Sequence, residues 1–187
     1  FLANRGYAVF QPNFRGSTGY GTKLLTSGYR EWGGAMQNDI TDGVKHLIDE
    51  GIVDPKRVGI YGASYGGYAT MAGLCFTPEL YRCGINYVGV TDIDLILKEY
   101  PLPKKINDAI DAVMIADRKK DKDWIKNRSI QNNIGNVKAP VLMAYGMDDW
   151  RVPPKHGRIL KRALDRNNIP NKLIIKANEG HGYRNED

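Results

Sequence analysis

The sequence predicts an α/β fold in which a mostly parallel sheet is covered by helices on both faces. Short apolar runs recur along the chain, and segments with helical spacing separate them. Strands that are almost wholly apolar are typical of parallel sheets, because such sheets are buried on both sides. With 187 residues, 42% of them apolar, the chain is expected to form a single domain, residues 1–187, around one core.

The predicted elements follow one another in βαβ order. A first strand is predicted at residues 7–10, and a helix with an apolar stripe then ends at Gly51, a residue typical of helix C-caps. A second strand at 58–61 runs directly into a helix after Ser64. Further strands are predicted at 85–90, 141–145 and 173–175. The segment 95–130 is longer than an ordinary connection between a strand and a helix. It predicts a helical excursion over the strand ends, where a lid or a substrate-pocket wall would lie.

Composition argues against several classes of partner. The formal charge of +6 is spread along the chain, and aspartates interrupt the basic run at 118–122, which favours a solvated surface over nucleic-acid binding. No run of about 18 apolar residues occurs, so neither a membrane-spanning helix nor a membrane partner is predicted. Cys75 and Cys83 have apolar neighbours and are expected to be buried free thiols. The chain begins at Phe1 within an apparent helix end, which predicts a fragment of a longer protein.

The segment Gly62-Ala63-Ser64-Tyr65-Gly66 fits the Gly-x-Ser-x-Gly pattern of a nucleophile elbow. In that turn a strand passes abruptly into a helix and presents the serine at its apex. The glycines are expected where side chains would clash with neighbouring elements. An apolar run precedes this motif and a helix-compatible run follows it, which favours the elbow over a merely tight βα turn. The motif therefore predicts a serine hydrolase with the α/β-hydrolase fold and Ser64 as nucleophile.

A serine hydroxyl needs a base to accept its proton and an acid to orient that base, and in this fold the chain order is Ser, Asp or Glu, His. His46 precedes Ser64, and His156 lies in a helical segment where it is expected to pack or to meet solvent. His181 follows the last predicted strand between two glycines and is the predicted base. Asp148 and Asp149 both follow the strand at 141–145, and spacing alone does not separate them.

Several stretches together resemble the prolyl oligopeptidase-type serine peptidases, which include dipeptidyl and acylaminoacyl peptidases. The resemblance covers nearly the whole chain, and the stretches that carry it are 5–7, 13–21, 32–34 with Asp39, 54–57, 64–68 and 179–182. It implies that Asp149 is the acid and that Arg151 contacts the substrate backbone or terminus. The N–H of Tyr65, next after the nucleophile, should stabilise the oxyanion.

The resemblance implies a serine peptidase that cleaves short peptides through an acyl-enzyme, with no metal or organic cofactor. A carboxylesterase acting on small acyl esters and a non-catalytic interaction module are the alternatives, and association into a homo-oligomer is left open. Family members carry an N-terminal β-propeller, which is expected in the parent chain. The strand and loop that supply a second oxyanion donor are also expected to precede Phe1, so the sequence predicts a gap in the sheet and low activity for these 187 residues alone.

Overall fold

The computed structural model describes residues 1–99 and 103–185 and contains one parallel sheet. Its four strands lie side by side in sequence order: β1 (Gly59–Ala63), β2 (Cys83–Tyr87), β3 (Val141–Gly146) and β4 (Asn171–Lys176). All three strand pairs are parallel. The α/β class predicted from the sequence is confirmed, and each of the four strands overlaps a predicted one.

Helices connect these strands and precede the first of them. They are α1 (Thr22–Thr26), α2 (Ala35–Asp49), α3 (Tyr65–Phe76), α4 (Ile93–Glu99), α5 (Lys104–Met114), α6 (Lys122–Arg128) and α7 (Lys155–Arg166). The predicted helix ending at Gly51 is α2, and Gly51 has the positive φ of 70° expected just beyond a helix end. The predicted excursion consists of α4, α5 and α6; residues 100–102 of it lie outside the described residues.

Helix α3 is the centre of the core. Its residues from Gly67 to Cys75 are all buried, which is typical of a helix enclosed on every side. It packs against the face of β1 and β2 that carries Ile60 and Gly84, and a Cβ at Gly84 would lie 2.5 Å from Leu74. Helix α7 packs on the same face, where Gly157 lies under the ring of Tyr145.

The opposite face of the sheet is open in the described part of the chain. Tyr61, Ile85 and Ile174 alternate with strand residues that are less exposed, and they are themselves 57%, 37% and 39% exposed. Helices were predicted on both faces, and within residues 1–99 and 103–185 they cover one.

Residues 7–10 do not form the predicted strand. Tyr7, Val9 and Phe10 are 64%, 58% and 44% exposed, although the ring of Phe10 contacts Gly43 of α2. The N–H and C=O groups of a strand need a neighbouring strand, and β1 pairs only with β2. The other edge of β1 is free, but residues 7–10 pair neither with it nor with any other described strand, and the prediction was wrong here because an apolar run alone does not supply a partner.

Two further predictions need correction. The strand predicted at 85–90 occupies Cys83–Tyr87, because Val88 leaves the β region with φ 44°. Cys75 is a buried free thiol as predicted, and burial raises the pKa of its thiol to about 12, but Cys83 is exposed. Among the described residues, no helix is long and apolar enough to cross a membrane.

Candidate active site

Ser64 stands at the turn between β1 and α3 with φ 57° and ψ −117°, outside the regions that non-glycine residues normally occupy. Its N–H donates to Tyr87 O at 2.9 Å, and its carbonyl accepts the N–H of Gly67 at 3.0 Å. The turn requires a close backbone approach, since a Cβ at Gly62 would lie 2.2 Å from Gly66 O. A Cβ at Gly66 would meet no atom within 4 Å, so the predicted clash exists for Gly62 and not for Gly66.

A buried polar network, which the sequence did not predict, supports this turn. Asn86 on β2 is fully buried; its amide donates to Gly67 O at 3.2 Å, and its Oδ1 accepts the Gly89 N–H at 3.1 Å. The hydroxyl of Tyr145 on β3 lies 2.7 Å from Gly89 O and 3.0 Å from Asn86 Oδ1. Asn86 therefore joins the start of α3 to the ends of two strands, and an amide within an otherwise apolar run was the available signal.

Asp149 lies in the loop after β3 and is 3% exposed. Its Oδ1 accepts the backbone N–H groups of Arg151 and Val152, both at 2.9 Å. Its Oδ2 lies 2.7 Å from His181 Nδ1. The neighbouring Asp148 is exposed, so the structure brings Asp149 and not Asp148 to the histidine.

His181 is presented by the loop that follows β4. The Gly182 N–H donates to Gly180 O at 2.9 Å, so His181 is the central residue of a γ-turn. Gly182 has φ 121°, which a residue with a side chain would rarely adopt. With Nδ1 protonated and directed at Asp149, Nε2 is the ring nitrogen left to act as a base.

The chain places Ser64, Asp149 and His181 after β1, β3 and β4, at the carboxyl edge of one parallel sheet. The structure joins Asp149 to His181, but within the described residues Ser64 Oγ makes no hydrogen bond to His181. Such contacts are often long in enzymes without substrate and shorten when substrate binds.

The other two histidines lie apart from this pair. His46 is exposed on α2. His156 is fully buried on α7, where its Nδ1 accepts the Thr91 N–H at 3.2 Å. Burial lowers the pKa of His156 to about 4, so its ring is neutral and packs in the core, which is one of the two placements that the sequence left open.

Tyr65 follows Ser64 and is the first residue of α3, so its N–H has no acceptor within the helix. Its ring packs between Phe14 and Trp32, at centroid distances of 5.6 and 4.8 Å. Burial raises the pKa of its hydroxyl. A cavity of about 530 Å³ opens beside this ring, with Met36 and Met114 among its mainly apolar lining.

Arg151 lies two residues after Asp149 with an exposed side chain. Its guanidinium carbon stands 5.2 Å from the centre of the Trp150 ring. The structure thus keeps the charged group at the surface beside Asp149, while the backbone N–H of the same residue holds the carboxylate.

Comparison with known proteins supplies the context for this geometry. The sequence profile described as the prolyl oligopeptidase family matches residues 1–187. Dipeptidyl aminopeptidase BIII of Pseudoxanthomonas mexicana is 37% identical over 193 residues, which cover 98% of this chain and 27% of the relative.

Solved peptidase structures are also similar to this chain. A puromycin-hydrolysing peptidase of Mycobacterium tuberculosis superposes with a TM-score of 0.85 at 27% identity, over 91% of this chain and 25% of its own. Acylaminoacyl peptidase of Pyrococcus horikoshii superposes with a TM-score of 0.79 at 28% identity, over 91% of this chain and 27% of its own. The chain spans about a quarter of the length of the curated relatives and solved structures it matches.

Proposed function

This chain belongs to the prolyl oligopeptidase family of serine peptidases, and on that premise we propose that it hydrolyses short peptides with Ser64 as nucleophile, His181 as general base and Asp149 as the acid. The observation that carries the proposal is the 2.7 Å contact between the buried Asp149 carboxylate and His181, at the sheet edge where the strained turn holds Ser64. Ordinary surface residues do not combine a strained serine with an oriented imidazole.

In the first half of the proposed reaction, Ser64 Oγ attacks the carbonyl carbon of the scissile peptide bond while His181 Nε2 accepts the hydroxyl proton. Asp149 stabilises the imidazolium through Nδ1. The negative charge that develops on the carbonyl oxygen is stabilised by the N–H of Tyr65. The C–N bond then breaks, the amine leaves with the proton from His181, and the acyl group remains on Ser64.

Water completes the proposed cycle. His181 Nε2 accepts a proton from water as its oxygen attacks the acyl-enzyme carbonyl. The intermediate collapses, the ester bond to Ser64 breaks, and the serine recovers its proton from His181. The peptide acid leaves and the starting protonation states are restored, so the proposed cycle balances with water as the only co-reactant.

The cavity beside Tyr65, the residue after Ser64, suits an apolar side chain of the peptide. The cavity beside Tyr65 has a largely apolar and aromatic lining, to which Phe14, Trp32 and Met36 contribute. Apolar side chains gain about 1.5 to 3 kcal/mol when they leave water for such a pocket. Arg151 is exposed beside the acid, where its guanidinium can bind a peptide carbonyl or a carboxylate terminus.

Fluorophosphonate labelling followed by peptide mapping tests the proposal. We expect label on Ser64, none on that peptide in Ser64→Ala, and undiminished labelling in Ser27→Ala, which removes an exposed hydroxyl from the loop after α1. Labelling that survives in Ser64→Ala would overturn the assignment of the nucleophile.

Matched peptide and ester substrates with the same acyl group then separate the two hydrolase activities. A peptidase cleaves both, since esters are the easier substrates for an acyl-enzyme mechanism. Cleavage of the ester alone would replace the proposed activity with that of a carboxylesterase.

A further inference from the structure

Glu179 lies two residues before His181, and its carboxylate is buried although the surrounding loop is at the surface. The residue is 1% exposed, whereas Arg184 and Asn185 in the same loop are exposed. Burial of a carboxylate is costly unless hydrogen bonds compensate it. The position of this side chain therefore calls for a specific set of partners.

Those partners are backbone groups on the far side of His181. Glu179 Oε2 accepts the Arg184 N–H at 2.9 Å, and Oε1 accepts the Asn185 N–H at 3.0 Å. One side chain thus closes the loop 179–185 into a ring that contains the proposed base. Lys176 Nζ, at 3.8 Å from Oε1, adds a nearby positive charge.

The main chain of Glu179 ties the same loop to the loop of the acid. Its carbonyl accepts the Asp148 N–H at 2.9 Å, one residue before Asp149. The approach is close, because a Cβ at Gly146 would lie 2.2 Å from that carbonyl oxygen. Glu179 therefore contacts both loops whose relative position sets the distance between Asp149 Oδ2 and His181 Nδ1.

We propose that Glu179 is a positioning residue that fixes the γ-turn at His181 and holds its imidazole against Asp149. The inference rests on the proposed function for its catalytic consequence, but its geometric part concerns only His181 and Asp149. The side chain touches no reacting atom. Its effect passes through the loop to the tautomer and orientation of the proposed base.

Glu179→Gln is the sharpest test because it preserves shape and changes two acceptor oxygens into one acceptor and one donor. The amide NH₂ would then face a backbone N–H, and one of the two N–H groups would lose its acceptor. Glu50→Gln makes the same chemical change at an exposed residue after α2 and serves as the matched control. Melting temperatures define conditions under which each variant is fully folded.

Two readouts then separate positioning from mere stabilisation. Long-range ¹H–¹⁵N spectra report the tautomer of each histidine, and His181→Ala identifies the signals of that residue. The protein without substitutions, called the parent in these tests, is expected to show the Nδ1–H tautomer at His181, and so is Glu50→Gln. Folded Glu179→Gln is expected to show a tautomer mixture and a labelling rate lower by about 10- to 100-fold, by analogy with the groups that orient metal-binding histidines.

The outcomes distinguish this proposal from the proposed function. A parent that shows the Nδ1–H tautomer but takes up no label contradicts the proposed function, while the spectra still test Glu179. A folded Glu179→Gln protein with the parental tautomer and a labelling rate within about twofold of the parent overturns the inference. If the glutamine variant does not fold, Glu179→Asp replaces it, because a carboxylate one methylene shorter cannot reach both N–H groups; parental spectra and labelling in that variant would overturn the inference equally.

Discussion

Replacing Tyr145 with phenylalanine removes one buried hydroxyl and leaves the ring in place. That hydroxyl is fully buried and lies 2.7 Å from Gly89 O, a carbonyl for which the described residues provide no other donor. Asn86 Oδ1 keeps its bond from the Gly89 N–H, so one carbonyl is left unsatisfied. An unsatisfied buried acceptor costs about 1–3 kcal/mol.

The expected shift in melting temperature follows from the size of the chain. At roughly 2.1 cal/mol/K per residue, unfolding 187 residues raises the entropy by about 0.4 kcal/mol/K. A decrease of about 2 kcal/mol in the free energy of unfolding therefore lowers the melting temperature by about 5 °C. Tyr61→Phe makes the same change at a side chain that is 57% exposed and should melt within about 1 °C of the parent. Thermal unfolding followed by far-UV circular dichroism measures both variants, and equal shifts in the two would refute the reasoning.

Three further predictions concern the acid, the elbow and the buried histidine. Asp149→Asn is expected to lower the fluorophosphonate labelling rate by about 10⁴-fold, because the imidazole loses the acceptor that fixes its tautomer; an equal loss in Asp148→Asn would refute the choice of acid. Gly62→Ala should lower the melting temperature, whereas Gly66→Ala, with no atom within 4 Å of its added Cβ, should not; the reverse order of melting temperatures would contradict this account of the turn. Burial depresses the pKa of His156 from 6.5 to about 4, so the unfolded state binds more protons between these values and the free energy of unfolding falls as pH is lowered through that window. Urea denaturation at neutral and at mildly acidic pH measures the fall, which should shrink in His156→Gln and would count against this account if it did not.

Much of the fold was predictable because buried strands and helices have characteristic local patterns of apolar residues. Each of the four observed strands contains apolar residues that the sequence marks as a short run, and α3 follows Ser64 directly as the elbow pattern predicts. The segment at 7–10 has the same apolar pattern but pairs with no described strand. Apolar content alone does not show whether a segment has a neighbouring strand to pair with. The end of β2 was misplaced because Val88, a strand-forming residue by type, adopts a positive φ beside the elbow.

The candidate site was predictable where a motif carries it and not where contacts join distant residues. Chain order and flanking glycines led to Ser64 and His181, but Asp148 and Asp149 follow the same strand, and only burial and the direction of the side chain separate them. Asn86 and Glu179 act on groups in other parts of the chain or across a turn. The apolar neighbours of Asn86 indicate that its amide is buried but not which groups it binds, and the neighbours of Glu179 do not distinguish a buried carboxylate from a solvated one.

The strand order has a consequence for how the chain folds and unfolds. The connections 64–82 and 147–170 join β1 to β2 and β3 to β4, whereas β2 pairs with β3 only after the chain closes residues 88–140, more than twice as long as either. Longer closures cost more entropy and slow pairing. Folding is therefore expected to join two βαβ halves, one bearing Ser64 and the other bearing Asp149 and His181. A molecule that opens along the β2–β3 boundary would keep Asp149 with His181 but separate both from Ser64, so inactivation would precede the loss of most helix and strand.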